Sequence, residues 1–273
     1  MMKNLIRFIG YDIKNGILQK WKVYLFTIIV TIVATEHAFF LIKEKGSALD
    51  YLFDIFIGNP RFYISPDATF NVPFIWFIFM IIPAFLIGNY AVNDLNAYGV
   101  HLIIKSKSKV SWWLSKTIWC ISSVIIYFII IIATLTVYAY ANGRDFYGGT
   151  KVWAEYMGIY EEISGEKLIL HGVLGPMLTV LSLCMLQMVL SLLVGALNAY
   201  VIIISYNVLS AYITHPIFIG NFAMFLRNKD YVSDGLNFNQ GLIIQSFMIV
   251  ICLLTGLMFV KRMEMFRYTR FNA

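Results

Sequence analysis

The sequence predicts an all-α integral membrane protein with six transmembrane helices, and two observations carry this prediction. Of the 273 residues, 60% are apolar and only 13% are charged, and the mean hydropathy is +0.75. Soluble domains are about half apolar and about a quarter charged. In addition, six hydrophobic runs approach or exceed the ~20 helical residues needed to cross a bilayer. These runs are residues 21–42, 72–92, 112–140, 173–197, 199–219 and 241–260. We therefore expect one transmembrane domain over residues 1–273.

The first 20 residues carry the pattern of an amphipathic helix. At helical spacing, Leu5, Ile9 and Ile13 fall on one face, while Arg7 and Lys14 lie opposite. A helix of this kind lies in the plane of the membrane interface, with its apolar face towards the acyl chains. The pattern predicts an elbow helix over residues 1–20, in contact with membrane lipid immediately before the first span.

The distribution of charge predicts the orientation. The segments 1–22, 93–116 and 261–273 together carry 13 lysines and arginines against three acids. The alternate segments 43–71, 141–172 and 220–240 carry eight basic residues against eleven acids, with Glu36 inside the first span. Basic residues collect on the cytoplasmic side of membrane proteins. The chain is therefore predicted to have both termini inside, with a cytoplasmic tail at 261–273. Its net charge of +6 indicates membrane-surface lysines and not a nucleic-acid partner.

Two of the outer segments have features of their own. Residues 150–165 read as a surface helix capped by Thr150. The segment 216–240 begins with Pro216 and stays apolar through Phe225, which predicts a hairpin that re-enters the outer leaflet before the last span. Irregular backbone at that depth is tolerated only where protein covers it.

The chain carries no motif for catalysis of its own. It lacks a G-x-x-x-x-G-K-[ST] loop, an H-E-x-x-H helix and a G-x-S-x-G elbow. Cys120, Cys184 and Cys252 lie in separate hydrophobic runs, and the four histidines show no ligand spacing. We therefore expect no enzyme activity, no metal and no cofactor in this chain, and we interpret the cysteines as small core hydrophobes.

Four polar residues within or beside the spans are candidates for a translocation path: Glu36, Asn89, Tyr206 and Asn207. A carboxylate inside a bilayer is costly, so Glu36 is a candidate for proton coupling or for contact with a cationic substrate. The alternative is that Glu36 lies near the outer interface or bonds within the bundle. Polar residues such as Tyr206 and Asn207 equally serve to hold helices together.

The segment Asp94 to Lys116, DLNAYGVHLIIKSKSKVSWWLSK, is the one sizeable charged segment between hydrophobic runs that the charge distribution places in the cytoplasm. Trp112, Trp113 and Lys116 stand where a span meets the cytoplasmic interface, and this position is typical of membrane anchoring. Gly99 permits a tight bend. The remaining lysines are available either for anchoring or for contact with a cytoplasmic partner.

These features together resemble the permease subunits of ABC-2 type bacterial transporters. The likeness in topology covers nearly the whole chain: an elbow helix, six spans with both ends inside, a short turn between spans four and five and an outer hairpin. The likeness in sequence is concentrated in residues 89–119, NYAVNDLNAYGVHLIIKSKSKVSWWLSKTIW. Where the family often has arginine, Lys105 and Lys109 keep the charge without the planar fork.

The resemblance implies a role for the chain. It implies the membrane-spanning subunit of an ATP-driven exporter in the bacterial plasma membrane, with a second permease chain, identical or related, as partner. ATP and Mg²⁺ would be bound by a separate ATPase subunit, which would dock on residues 94–110. The residues implied for this coupling are Asp94, Leu95, Gly99, Lys105, Ser106, Lys107 and Lys109. The aromatic outer segments would suit an amphipathic cargo such as a peptide, drug or lipid.

Three other classes of membrane protein stay open. A secondary transporter needs substrate or ion groups at the midplane, usually on broken helices in paired repeats, and this chain has one acid in a span and no evident repeat. A membrane enzyme needs a convergent set of catalytic groups, and no such set is evident in this sequence. A sensor or scaffold protein that transports nothing is compatible with the sequence.

Overall fold

The computed structural model describes residues 2–42, 46–63, 69–147 and 164–263, and this part of the chain is helical and contains no β-strand. Five helices are long and apolar enough to cross a membrane: Asn4–Leu41, Phe74–Asn96, Lys109–Ala141, Gly165–Val194 and Phe238–Arg262. The chain is therefore an all-helical, multi-pass membrane protein, as predicted.

Ten helices are labelled in chain order. The first five are α1 (Met2–Asp12), α2 (Trp21–Leu41), α3 (Ala48–Ile55), α4 (Phe74–Ile87) and α5 (Tyr90–Asn96). The others are α6 (Tyr98–Ser106), α7 (Lys109–Ala141), α8 (Gly165–Val194), α9 (Ala196–Tyr212) and α10 (Phe238–Arg262). A π-helical turn at Ile13–Ile17 and a 3-10 turn at Leu18–Lys20 join α1 to α2.

Polar caps and glycines set where these helices begin and end. Ser108 caps the N-terminus of α7: its Oγ accepts a hydrogen bond from the Ser111 backbone N–H at 3.3 Å. Asn237 begins α10 in the same manner, since its Oδ1 accepts from two backbone N–H groups. Each cap satisfies donors that a helix N-terminus leaves unpaired. Gly195, at φ +87°, makes the single-residue break between α8 and α9, a conformation that residues with a Cβ rarely adopt.

Helices α7 and α8 form the centre of the bundle. Helix α7 packs against α1, α2, α3, α4, α8 and α10, and α8 also packs against α4, α9 and α10. Their shared core includes Tyr127, Ile131 and Met185, all fully buried. The Tyr127 hydroxyl donates to the Phe79 carbonyl of α4 at 2.9 Å. The other helices are therefore arranged around a central pair.

The bundle has two distinct ends. At the basic end lie α1, α5, α6, the start of α7 and the last turn of α10, and there Lys109 Nζ donates to the Met263 carbonyl at 2.6 Å. At the distal end lie α3, the start of α4 and residues 216–237, where the Phe225 backbone N–H donates to the Phe56 carbonyl at 2.9 Å. The two ends of the described chain, at α1 and at Met263, lie at the same end of the bundle.

The predicted fifth span, residues 199–219, is shorter in the structure. Helix α9 has 17 residues, about 25 Å at ~1.5 Å per residue, against a hydrocarbon core of ~30 Å. The helix ends at Tyr212, and the backbone is extended at Ile213. The predicted count of six spans is therefore not confirmed, although the other five predicted runs coincide with the five long helices.

The predicted outer elements are found in part. Within residues 216–240 the chain makes two buried 3-10 turns, Ile219–Ala223 and Phe225–Arg227, packed against the helices around them; that this hairpin re-enters the membrane stays a prediction. The helix expected after Thr150 lies outside the described residues. Helix α1 buries Phe8 and Asp12 against α7 and leaves Ile6 exposed. Its placement as an elbow in the membrane interface also stays a prediction.

Candidate coupling site at the basic end

The predicted coupling segment folds as two short helices separated by sharp turns. Helix α5 ends at Asn96, and Ala97 turns the chain into α6 with φ −121° and ψ −114°. Lys107 then adopts a left-handed conformation, with φ 52° and ψ 28°, before Ser108 caps α7. A non-glycine residue in this region is uncommon and costs conformational energy. The segment therefore projects α6 as a separate helical unit between α5 and α7.

A buried ionic cluster lies directly beneath this unit. Lys116 Nζ of α7 forms ion pairs with Asp12 of α1 and with Asp94 Oδ2 of α5, the latter at 2.7 Å. All three side chains are at most 3% exposed. Two carboxylates around one ammonium leave a net charge of −1 when all three groups are ionised. The cluster joins three helices that are distant in sequence.

Hydrogen bonds from α5 and α7 complete the ionic cluster. Trp112 Nε1 donates to Asp94 Oδ2 at 2.7 Å, and Ser115 Oγ donates to Asp12 Oδ2 at 2.8 Å. The Tyr90 hydroxyl donates to Asp12 Oδ1 at 2.8 Å, and Lys116 Nζ lies 4.5 Å from the centroid of the Tyr90 ring. Buried charges require such partners, because removing one partner leaves an uncompensated charge at a cost of about 3–5 kcal/mol.

Gly99 seats α6 on this cluster. A Cβ atom at this position would lie 2.4 Å from Asp94 Oδ2 and 2.6 Å from the Asp94 carbonyl oxygen. Such distances are shorter than van der Waals contact, so any larger residue would displace either α6 or the Asp94 carboxylate. The backbone of α6 is therefore held directly against a member of the ionic cluster.

The other face of α6 is open. His101, Ile104 and Lys105 are exposed along the helix, and Lys107 is exposed in the turn that follows, whereas Ile103 is buried beneath them. Ile104 is 51% exposed. An exposed apolar side chain among cations, on a rigidly mounted helix, forms a surface that a partner protein could contact.

Two further contacts hold the edges of α6 and the turn after it. Asn4 Nδ2 of α1 donates to the Ser106 carbonyl at 3.1 Å. Lys109 Nζ donates to the Met263 carbonyl at 2.6 Å and to the Lys261 carbonyl at 3.3 Å, at the C-terminal end of α10. A cation at this position also interacts favourably with the helix dipole. Lys109 is therefore engaged within the chain.

Six of the seven residues implied for coupling separate into two groups, and the seventh, Lys109, is bonded to the end of α10. Asp94, Leu95 and Gly99 are buried and form the support beneath α6. Lys105 and Lys107 are exposed, and Ser106 is half-buried, with its Oγ donating to the Ile103 carbonyl at 3.2 Å. Only the second group contributes to an accessible surface.

The prediction that Trp112, Trp113 and Lys116 anchor the chain in the membrane interface is wrong for their side chains, which are at most 1% exposed. Trp113 packs on Gly256 of α10 and donates to the Leu253 carbonyl at 3.0 Å. The reason is that small residues on a facing helix admit an indole ring. Composition at a membrane boundary does not distinguish a lipid-facing tryptophan from one that joins helices.

The candidate residues for a translocation path are not brought to one place. Glu36 is exposed towards the end of α2, whereas Asn89 is exposed between α4 and α5 at the basic end. Tyr206 and Asn207 lie on α9. The Tyr206 hydroxyl bonds the backbone of residues 217–219, and Asn207 Nδ2 donates to the Ile203 carbonyl at 3.1 Å. These contacts are of the kind that holds elements together.

Cys120, Cys184 and Cys252 are free and buried, as expected of core residues. They are distant in sequence, but the packing of α7 against α8 brings Cys120 close to Cys184. In the part of the chain that the structure describes, no group of three or more histidine, cysteine or acidic side chains is arranged to hold a metal ion.

Two members of the ionic cluster, Asp12 and Tyr90, were not predicted from the sequence. Asp12 carried a usable signal, because it is the only acid in a predicted amphipathic helix otherwise rich in lysine and arginine. An acid that stands alone in such a pattern is a candidate for a buried partner. Tyr90 carried no signal, since tyrosines are frequent near membrane boundaries.

The fold and this site define a polytopic helical membrane protein with a helical unit mounted on a buried ionic cluster. A family model described as "Protein of unknown function (DUF2705)" matches residues 24–266. The chain belongs to this family, and the match covers the segment of α5, α6 and α7 but begins after α1. No curated protein and no solved structure matches the chain.

Proposed function

We propose that this chain is the membrane-spanning subunit of an ATP-driven exporter in a bacterial plasma membrane, working with a separate ATPase subunit and a second permease chain. The observation that carries the proposal is the mounting of α6. Its exposed face bears His101 and Ile104, Lys107 is exposed in the turn after it, and its buried side rests on the Asp94 carboxylate. A docking helix needs both an accessible face and a stiff connection to the spans.

The ionic cluster supplies that connection. A force on α6 reaches Asp94 first, then Lys116 in α7 and Asp12 in α1, because these groups form one continuous set of ion pairs. Helix α1 continues into the first long helix and α7 is central to the bundle. Closure of an ATPase pair on nucleotide would therefore move whole helices as rigid bodies and shift the population between two states of the bundle.

Six crossings with both ends inside are part of this proposal. The support is geometric: the last turn of α10 lies beside Lys109, and α1 lies beside Lys116, so both ends of the described chain are at the basic end. Helix α9 starts at Gly195 beside the end of α8, and at its far end Ser210 lies against Gly220 of the distal segment. An even number of crossings follows if α9 and the residues after it also cross.

The test is co-purification of this chain with an ATPase encoded beside its gene. We expect I104Q/K107E to reduce retention of the ATPase at least 10-fold and to abolish stimulation of ATP hydrolysis in proteoliposomes. Both side chains are exposed, so the fold should survive. The matched control is I217Q/K229E, which makes the same two changes on exposed residues at the distal end.

Two results would contradict the proposal. Full ATPase retention by I104Q/K107E would remove α6 as the docking surface. Transport driven by an ion gradient alone, with no ATPase present, would instead make the chain a secondary transporter. If no cargo moves under either condition, the reading as a membrane sensor or scaffold replaces both.

A further inference from the structure

A cavity between α1 and α6 lies next to the coupling site but takes no part in the ionic cluster. Its volume is about 260 Å³. One wall is a single face of α1 and the other is the last turn of α6. The lining residues are Asn4, Arg7, Phe8, Tyr11, Leu102, Lys105 and Ser106. This volume is slightly below the ~300–1,000 Å³ of a pocket for a whole ligand, so it suits a single polar group.

The cavity is electropositive. Arg7 and Lys105 approach it from opposite walls, and among the described residues neither forms an ion pair with a carboxylate. The acids of the neighbouring cluster, Asp12 and Asp94, are already paired with Lys116. Two cations that converge on a cavity without a counter-ion form a site for an anion, and arginine in particular matches the geometry of a phosphate.

The neutral residues that line the cavity favour a phosphate ester over a bare ion as its ligand. Asn4 and Ser106 are polar residues of its lining, and the Asn4 amide donates to the Ser106 carbonyl at 3.1 Å, which holds the two walls together. Phe8 and Leu102 supply apolar surface in the same cavity. A ligand with an anionic head and an apolar body would use both kinds of group.

The surroundings of the cavity favour a membrane lipid as that ligand. Ile6 is 64% exposed on the face of α1 opposite the cavity, and the chain then continues into the long apolar helix that ends at Leu41. A basic cavity at the start of a membrane-spanning helix, on a segment that also exposes apolar side chains, is the arrangement that places cations among headgroups.

We propose that the cavity lined by Arg7 and Lys105 binds the phosphate of an anionic phospholipid headgroup and thereby joins α1 to α6. The lipid would bridge the two walls, with its phosphate between the cations and the start of its acyl chains against Phe8 and Leu102. The lipid site is formed by this chain alone, so it can be tested without an ATPase partner.

The test is native mass spectrometry of the purified full-length chain in detergent, titrated separately with dioleoylphosphatidylglycerol and with dioleoylphosphatidylcholine. We expect one phosphatidylglycerol to bind tightly and phosphatidylcholine to bind at least 10-fold more weakly. Removing both cations in R7Q/K105Q should weaken phosphatidylglycerol binding about 30-fold, since each cation near a membrane surface contributes about a factor of five. The control K14Q/K107Q removes two exposed cations outside the cavity and should bind like the wild type.

A conservative variant guards against loss of the fold. R7K/K105R keeps both charges and should stay within about 3-fold of the wild type even if R7Q/K105Q proves unstable. If K14Q/K107Q weakens phosphatidylglycerol binding as much as R7Q/K105Q does, the lipid is attracted to the basic end as a whole, and the cavity is not a specific site. Equal binding of both lipids, or displacement of phosphatidylglycerol by an equal concentration of glycerol 3-phosphate or of an oligoglutamate peptide, would overturn the lipid as its occupant.

Discussion

The two ends of the bundle each bury one cation, and the two cations are satisfied in different ways. At the basic end, Lys116 is held by the carboxylates of Asp12 and Asp94. At the distal end, Arg227 is 1% exposed and is held by neutral oxygens. Its guanidinium donates to the Asn59 carbonyl at 2.6 Å, to the Ala211 carbonyl at 2.8 Å, to Asn221 Oδ1 at 3.1 Å and to Thr214 Oγ1.

The difference lies in what each cation joins. Lys116 joins helices that are 22 and 104 residues away, whereas three of the partners of Arg227 lie within 16 residues of it and the fourth, Asn59, lies 168 residues away in the loop after α3. Burial lowers the pKa of Arg227 to about 10, with a smaller contribution from Arg61, so the guanidinium keeps its charge at neutral pH. The distal cation thus ties two loops to the end of α9, and the basic-end cation connects whole helices. The contacts of Arg227 stabilise the fold, whereas those of Lys116 can also transmit motion between helices.

The largest expected effect is at Lys116. Lys116→Met leaves two buried carboxylates without a cation, and we expect a loss of about 3–5 kcal/mol in the free energy of unfolding. The triple variant D12N/D94N/K116M removes every charge of the cluster and should recover more than half of that loss. Thermal melting of the purified chain in detergent measures both. If K116M melts at the wild-type temperature, the ion pairs of Lys116 do not stabilise the fold.

A smaller effect is expected at Arg227. Arg227→Met removes four hydrogen bonds from a charged donor and leaves buried acceptors unpaired, at a cost of about 2–3 kcal/mol. Arg227→Lys keeps the charge but not the planar fork, so it should recover only part of the loss. The same melting experiment applies, with exposed Arg61→Met as a control that should change stability by less than about 0.5 kcal/mol. If R227M melts like R61M, the distal network is not structural.

The smallest effect is expected at Asp54 of α3, also at the distal end. Burial raises the pKa of the Asp54 carboxyl, and His37, whose Nδ1 lies 3.5 Å from Asp54 Oδ2, offsets part of this rise. The folded state therefore holds the Asp54 proton more tightly than the unfolded state does. The stability from this group is complete below the ordinary carboxyl pKa and is lost as the pH rises through the raised value.

Asp54→Asn should accordingly raise the melting temperature near pH 7, by on the order of 2 °C. The difference from the wild type should shrink as the pH falls towards 4. Melting curves of both proteins between pH 4 and pH 8 measure this, with exposed Asp145→Asn as the control that should show no such trend. A D54N protein that is less stable than the wild type at pH 7 would show that the ionised carboxylate is stabilising.

Composition and periodicity were enough to predict the class of this protein. The predicted runs at 21–42, 72–92, 112–140, 173–197 and 241–260 coincide with the five long helices, because an apolar segment in lipid must satisfy its own backbone hydrogen bonds and therefore forms a helix. The end of α9 was harder to predict. Pro216 cannot donate a helical hydrogen bond and disfavours helix in the residue before it, and tertiary contacts with Tyr206 and Asn221 hold Ile219 and Ile213 out of the helix.

The segment from Asp94 to Lys116 shows what a sequence by itself determines and what requires the fold. Its charge, its glycine and its place between two hydrophobic runs were sufficient to mark it as the segment to examine. Which of its residues face outwards was decided only by the tertiary structure. Lys105 and Lys116 are both lysines near a span, but one is exposed and the other meets Asp12, which is 104 residues away. Local pattern reports the helix on which a charge lies, and long-range packing decides whether that charge is buried with a partner.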